Sequence, residues 1–207
     1  MTKAHYPIPA SPAQTEIVVR GSRFIAQAIP TPTVEAARAA IAATRAAMPD
    51  ATHHCYAYLI GYGSSTIAGM SDDGEPAGSA GRPMLSVLRG ADLGDITVIV
   101  TRYFGGTLLG IGGLVRAYSD ATRAVLAIVP RTQRVLYQRV TMHIHYADYT
   151  MIRRLLEAHA AIIVEEAFAA DVMMTVNVPV DRLHAVRQQI EEMTGGRAHL
   201  EPVTSVI

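Results

Sequence analysis

The stretch VIVTRYFGGTLLGIGGLVRAYSDATRAVLAI, residues 98–128, decides the fold of the first part of the chain. It begins inside an apolar, β-branched run over 96–100, which is typical of a fully buried strand. A glycine-rich loop over 102–113 follows, and apolar residues then recur with helical spacing over 114–128 until Pro130. The stretch therefore predicts a strand, a glycine loop and a helix in succession.

This glycine loop is suited to binding an anion. Its glycines allow positive φ or the close approach of a ligand, and the helix start presents unpaired N–H groups and the positive end of a dipole. Two arginines flank the loop. Because the spacing matches neither the P-loop nor the dinucleotide fingerprint, anion binding and close packing are both left open. The candidate residues are Arg102, Gly105, Gly106, Gly112, Gly113 and Arg116.

A second loop, SDDGEPAGSAGRP over residues 71–83, fits no regular element. It follows a predicted strand, and strand ends hold functional loops rigidly. Its three acids could gather a magnesium ion, since hard cations take several carboxylate oxygens. Turn formation and ion pairs to nearby arginines are favoured, because a metal site in one short loop needs a further distant ligand. The candidate residues are Asp72, Asp73, Glu75 and Arg82.

Composition limits the class of protein. The 207 residues, half of them hydrophobic, suit one large or two small domains. The formal net charge is zero, so no global basic field drives nonspecific nucleic-acid binding, although a local patch is compatible with it. The single cysteine, Cys55, excludes an internal disulfide. With no signal-peptide segment and no run of about 18 apolar residues, we expect a cytoplasmic protein with no membrane partner.

The pattern predicts two domains, an α+β domain over residues 1–133 that carries both loops and a smaller domain over 134–207. The first fourteen residues hold three prolines and are expected to be extended and poorly ordered. In the second domain the pattern restarts as βαββαβ, which is a ferredoxin-like arrangement. Other predicted elements are a hairpin over 16–30, a helix capped by Thr33, strands over 52–60 and 66–70, a short helix over 84–88, a helix capped by Asp148, and a last strand over 199–206.

His53, His54 and Cys55 are potential ligands or nucleophiles, but the pattern favours structural roles. Alternation places neighbours on opposite faces of a strand, and a cysteine inside a strand is usually buried and inert. No GxSxG elbow accompanies the serines. Nothing in the sequence requires an enzyme, and we expect no cofactor.

Two long motifs resemble the signatures of the IMPACT/YigZ family. They are SDDGEPAGSAGRPML and VIVTRYFGGTLLGIGGLVRAYSDA, while GSRFIA and ATHHCYAY are similar to weaker early motifs. Ala77 and Ser79 depart from the serine and threonine expected there. The resemblance implies a first domain with the fold of ribosomal protein S5 domain 2 and a second, ferredoxin-like domain. It also implies a role in translation, with RNA, the ribosome or a translation-associated protein as partner.

Our leading hypothesis is a noncatalytic modulator of translation with a charged cleft between the two loops. Arg82, Arg102 and Arg116 would bind an anionic group of the partner, and the three acids would orient those arginines. The alternative is a magnesium-dependent enzyme that handles a nucleotide or phosphate, with Asp72 and Asp73 on the metal. A third hypothesis is a scaffold in which internal ion pairs merely hold the loops together.

Overall fold

The computed structural model describes residues 4–203, without the side chain of Ser65. These residues form two compact units. One spans Tyr6–Arg134, and the other joins residues 135–203 to Ala4 and His5. Both contain helices and strands, so the predicted mixed α+β class with two domains is confirmed.

The first unit is built on an antiparallel sheet with strand order β2-β3-β6-β4-β5, and β1 pairs separately with β7. Its elements are β1 (His5–Pro9), β2 (Ala13–Val19), β3 (Ser22–Pro30), α1 (Val34–Ala47), β4 (His53–Ile60), β5 (Ile67–Ser71), α2 (Gly81–Arg89), β6 (Ile96–Tyr103), α3 (Gly110–Ile128) and β7 (Arg131–Val135).

Strand β6 lies at the centre of this sheet and is buried along almost its whole length. Helices α2 and α3 cover the side that carries Val98 and Val100, where Phe24 and Tyr118 also pack. Helix α1 packs against β4 and β6 with its buried Ile41. Because both faces of β6 are buried, its residues form a continuous apolar run in the sequence.

Helix α3 begins earlier than the sequence pattern predicts. Gly112 and Gly113, predicted to lie in the glycine loop, are in the first turns of this helix, which starts at Gly110. Strand β6 likewise continues past Thr101 to Tyr103. The helix start is predicted too late because glycine carries no hydrophobic signal, so periodicity detects the helix only from Leu114. The strand end is predicted too early because the apolar run stops before Thr101 and Arg102. The loop between the two elements is therefore short.

The described part of the proline-rich beginning, residues 4–14, is ordered, contrary to the prediction. Strand β1 pairs with β7, and Tyr6 is 4% exposed. The Tyr6 hydroxyl donates to Asp95 at 2.8 Å, and its ring stacks on Tyr62 at 5.1 Å. Asp95 also accepts from Arg134, which lies in β7. One buried aromatic side chain thus fixes a segment whose composition alone predicts disorder.

The second unit has the element order βαββαβ. Its sheet order is β11-β8-β10-β9, and Ile152, Leu156, Val186 and Ile190 of the two helices belong to its core. The elements are β8 (Tyr137–Ile144), α4 (Tyr146–Ala158), β9 (Ile162–Phe168), β10 (Val172–Pro179), α5 (Leu183–Thr194) and β11 (Glu201–Pro202).

Two details of this unit differ from the prediction. Asp148 lies in the first turn of α4 rather than capping it, since His145 is the N-cap residue, and Asp148 pairs with Arg197 at 3.3 Å. The predicted last strand over 199–206 is reduced to Glu201–Pro202, and residues 204–206 lie outside the described residues. Across the described part of both units, no helix is long and apolar enough to cross a bilayer.

Candidate functional site

A buried ion pair joins the acidic loop, residues 72–80, to the end of β6. Arg102 Nη1 donates to Glu75 Oε1 at 2.7 Å, and the two side chains are 6% and 3% exposed. The Tyr118 hydroxyl from α3 donates to the same oxygen at 2.7 Å. Because each charge has a charged or polar partner, both can be held away from water. The structure therefore brings together Glu75 and Arg102, as predicted, and adds Tyr118.

Arg102 also connects the acidic loop to the glycine loop, residues 104–109. Its Nη2 donates to Ser22 Oγ at 3.4 Å, and this oxygen accepts the Gly105 N–H at 3.1 Å. The guanidinium lies between the rings of Phe24 and Phe104, at 5.5 Å and 5.6 Å from their centroids. Arg102 was predicted to bind an anion, but this geometry commits it to Glu75. It acts as an internal brace between the loops.

Asp72 holds the backbone of its own loop. Its carboxylate accepts the N–H groups of Gly78, Ala80 and Gly81 at 2.8, 3.0 and 2.8 Å. Burial alone would raise the Asp72 pKa, but these backbone donors outweigh it, so the pKa lies below its usual value. The carboxylate thus fixes the start of α2.

Asp73 ties the loop to β4 and α1. It pairs with Arg45, and its Oδ2 accepts the His54 N–H at 2.7 Å. The Asp73 carbonyl lies 2.8 Å from His53 Nδ1, and His53 Nε2 lies 3.9 Å from Glu75 Oε2. His53 and Arg45 were not selected from the sequence, because their proximity to the loop depends on tertiary structure.

The three acids that were predicted to orient the site arginines have different partners in the structure. Glu75 orients Arg102, whereas Asp72 binds backbone and Asp73 binds Arg45. Arg82 is exposed and forms no ion pair within the described residues, although its charge helps to lower the Asp72 pKa.

The glycines of the motif over residues 98–121 fall into two groups, those that the fold requires and those that it does not. A Cβ on Gly105 would stand 1.9 Å from the carbonyl carbon of Gly21, so this position needs glycine for packing. Gly106 has φ +82°, which favours glycine in a turn. Gly112 is helical, and a Cβ there would meet nothing within 4 Å, while one on Gly113 would meet Leu109 Cβ at 3.1 Å. Packing therefore explains Gly105 but gives no reason for Gly112.

A cavity of about 360 Å³ opens beside Gly112. Two arginines line it, Arg20 from the β2–β3 turn and Arg116 from α3, and neither makes an ion pair within the described residues. The carboxylate of Asp120, which also lines the cavity, is paired with Arg123 at 2.7 Å. The remaining lining residues are Val19, Leu109, Gly113 and Ala117.

This cavity keeps Gly112, Gly113 and Arg116 of the predicted site and adds Arg20, which sequence reasoning missed. Arg20 has φ +47° in the hairpin turn, and no local pattern places that turn beside α3. A larger cavity, about 460 Å³, is lined by other residues, among them Tyr62, Arg89 and Asp92. It contains none of the predicted residues, so the smaller cavity is the better candidate.

Cys55 is buried beneath the acidic loop. Its Sγ donates to the Asp72 carbonyl at 3.0 Å, and burial, reinforced by nearby carboxylates, raises the thiol pKa to about 12. A thiol with this pKa is not a nucleophile at neutral pH, as the strand pattern predicts. Among the residues that the structure describes, no group of three or more acidic, histidine or cysteine side chains is placed to hold a metal ion.

The fold and its two motifs match a known class of two-domain α+β protein. The Impact N-terminal domain family matches residues 20–126, and a domain of unknown function, DUF1949, matches residues 142–197. The chain is 37% identical over 194 residues to the IMPACT family member YigZ of Escherichia coli K12, covering 93% of this chain and 95% of that protein. An IMPACT family member of Haemophilus influenzae is 35% identical over 195 residues, 94% and 95% of the two chains. The chain belongs to the IMPACT family.

One solved structure shares the fold of almost the whole chain. The crystal structure of a hypothetical protein superposes with a TM-score of 0.77 and 35% identity, covering 99% of this chain and all of the other. The structure of Yih1, described as a two-domain translational regulator, gives a TM-score of 0.37 and 25% identity over 61% of this chain and 47% of the other. The second value does not establish a shared fold.

Proposed function

We propose that this IMPACT-family chain is a noncatalytic, cytoplasmic modulator of translation. It holds an anionic group of a ribosome, RNA or translation-factor partner on its first domain. Membership of the family supports the connection with translation. The cationic cavity beside α3 supports the anionic group, and it is the observation on which the proposed site depends.

Arg20 and Arg116 carry the proposed binding. Both are exposed, both line the same cavity, and both lack an ionic partner within the described residues. A guanidinium offers planar, bidentate donors that suit a phosphate or carboxylate. Gly112 leaves the backbone bare at the cavity, and bare glycine backbone allows a ligand to approach closely.

The acidic loop has a supporting role in this proposal. Asp72, Asp73 and Glu75 use their carboxylates on internal partners, and Arg102 is the buried counter-charge of Glu75. The resulting network links the acidic loop, β6 and α3, and through Ser22 it reaches the glycine loop. A rigid support of this kind keeps the cavity wall preorganised for its ligand.

We also propose the finer fold assignments. Residues 1–133 form an S5 domain 2-like domain, and residues 134–207 form a ferredoxin-like domain. The second assignment is supported by the βαββαβ order together with the sheet order β11-β8-β10-β9. In this sheet the first and last strands of the motif, β8 and β11, are neighbours.

Ribosome co-sedimentation and filter binding test the proposed function. The Arg20→Ala and Arg116→Ala variants are compared with Arg38→Ala, which removes an exposed arginine of α1 that forms no ion pair in the described part of the chain. We expect Arg20→Ala and Arg116→Ala to weaken association by about tenfold each, and Arg38→Ala to leave it unchanged. Arg102→Ala is a poor probe because it breaks the brace. Equal association of all variants would refute the proposal.

The magnesium-dependent enzyme gains no support from the arrangement of the acids. Asp72 and Asp73, its proposed ligands, are committed to backbone N–H groups and to Arg45. A thermal-shift screen of nucleotides with and without magnesium still separates the two functions. Stabilisation that requires both components and is lost in Asp73→Ala would favour the enzyme.

A further inference from the structure

We propose that Phe104, Leu108 and Ile111 form a docking surface for an acidic peptide segment of a protein partner. These side chains are 49%, 82% and 65% exposed, and they lie within eight residues of one another at the β6–α3 junction. We call them the apolar tip. The inference rests on the proposed function, because it names the chemistry of the partner at the same site.

The exposure of the apolar tip does not come from poor packing of this segment. Leu109 packs against the core of the unit, and Leu114 is 5% exposed within that core. The segment therefore buries some apolar side chains while it directs others to solvent. Large apolar side chains exposed together in this way mark interaction sites on soluble proteins.

The apolar tip alternates in the chain with residues that line the cationic cavity. Leu108 and Ile111 flank Leu109 and Gly112 in the chain, and the latter two line the cavity. At the other end of the loop, the close packing of Gly105 against Gly21 places the segment after Phe104 beside the hairpin turn. That turn carries Arg20, so one partner can contact both the apolar and the cationic groups.

Charge complementarity determines the kind of partner. Arg20 and Arg116 present two positive charges without ionic partners in the described chain, and the neighbouring Asp120 is paired with Arg123. A partner that covers the apolar tip must therefore supply anionic groups beside apolar ones. An amphipathic peptide segment with Asp or Glu and large aliphatic side chains has this composition.

RNA fits these features less well. Single-stranded nucleic acid binds through stacking on aromatic rings and through many phosphate contacts. The apolar tip offers one aromatic ring, Phe104, whereas Leu108 and Ile111 have no ring on which a base could stack. With two unpaired arginines at the cavity and zero formal net charge, the surface provides few phosphate contacts.

Panning of a phage-displayed library of random 16-residue peptides tests the inference without a known partner. The full chain is compared with the Leu108→Ser/Ile111→Ser double variant and with Ile67→Ser. Ile67 is 55% exposed in β5, so its replacement is a matched loss of exposed apolar surface elsewhere. Circular dichroism and thermal unfolding confirm that each variant folds, which we expect because the replaced side chains are largely outside the core.

We expect the full chain and Ile67→Ser to enrich peptides rich in Asp or Glu and in Leu or Ile. The double variant loses this enrichment, and Arg116→Ala weakens the best selected peptide by about tenfold. Enrichment that is absent, lacks acidic residues or persists in the folded double variant overturns the inference.

The two proposals can fail separately. If ribosome association depends on Arg20 and Arg116 but no acidic peptide is selected, the proposed function stands and the docking surface is refuted. If peptides do not bind, and RNA oligonucleotides bind the full chain but bind Arg20→Ala and Arg116→Ala weakly, the partner at this site is RNA and the inference is overturned. A third outcome is peptide binding that depends on the apolar tip, together with ribosome association that is the same for the full chain, Arg20→Ala and Arg116→Ala. In that case the docking surface stands, and the proposed anionic contact with the ribosome is refuted.

Discussion

Gly105 lies so close to Gly21 that a Cβ on Gly105 would stand 1.9 Å from the Gly21 carbonyl carbon. This contact joins the β2–β3 turn to the glycine loop. Gly112, seven residues later, has open space where a Cβ would be. The two glycines therefore have different reasons to be glycine, and alanine distinguishes them.

Gly105→Ala is expected to lower the free energy of unfolding by several kcal/mol, since backbone on both sides must move to admit the methyl group. Gly112→Ala is expected to raise it by as much as about 1 kcal/mol, because alanine favours the helix. Urea unfolding followed by circular dichroism measures both. A stabilised Gly112→Ala that also loses partner association would assign this glycine to binding, whereas equal destabilisation of the two variants would contradict the assignment.

Arg102→Met is expected to destabilise the protein by about 3 to 5 kcal/mol, because it leaves the Glu75 carboxylate buried without its cationic partner. The matched control is Arg23→Met, which breaks the pair between Arg23 and Glu16, whose side chains are 50% and 36% exposed. Because water solvates this second pair, we expect its loss to leave stability almost unchanged. Chemical unfolding of both variants makes the comparison, and similar losses would mean that burial of the first pair is unimportant.

Asp72→Asn is expected to destabilise the protein at pH 7 by about 1 to 3 kcal/mol, since a charged acceptor of three N–H groups becomes a neutral one. The Asp72 pKa is lower in the folded protein than in the unfolded chain, where it is about 3.9. The stabilisation is therefore complete above the unfolded pKa and is lost as the pH falls through the folded pKa. Urea unfolding at pH 7, 4 and 3 should show the difference between wild type and variant shrinking with acidification. A constant difference would show that proton binding to Asp72 is not involved.

Cys55 is expected to react slowly with Ellman's reagent in the folded protein. The thiol is fully buried, and its pKa of about 12 leaves almost no thiolate at neutral pH. As the chain has one cysteine, the absorbance reports this position alone. The reaction rate should rise with urea in parallel with the fraction unfolded. Rapid labelling without urea would place the acidic loop away from Cys55 in solution.

Local patterns in the sequence were sufficient for much of the fold. Thr33 caps α1 by accepting the Ala36 N–H at 3.1 Å, and the second unit has the predicted element order βαββαβ. These features depend on neighbours in the chain. The start of α3 was predicted too late because glycines hide its first turn, and the order of the first strand depends on Tyr6 reaching Asp95, 89 residues away.

The candidate site was less predictable for the same reason. The sequence identified both loops and paired Glu75 with an arginine, but it assigned Arg102 to a ligand. The buried neighbours of Arg102 are Glu75 of the acidic loop and Ser22 and Phe24 of β3. Tyr118, which donates to Glu75, was predicted only to lie on the apolar side of a helix. Arg20 was not selected from the sequence, because a single arginine in a turn belongs to no periodic pattern that would indicate a binding site. Its function can be inferred only once the hairpin is seen beside α3.

The pairing of β1 with β7 brings the two ends of the first unit to one place. A folding unit whose ends meet can be cut from one polypeptide and inserted into another with little disturbance of its interior. Circular permutation that links the two ends and opens the chain at an exposed turn should therefore be tolerated. The same geometry suits this unit to insertion into another protein as a single folding domain.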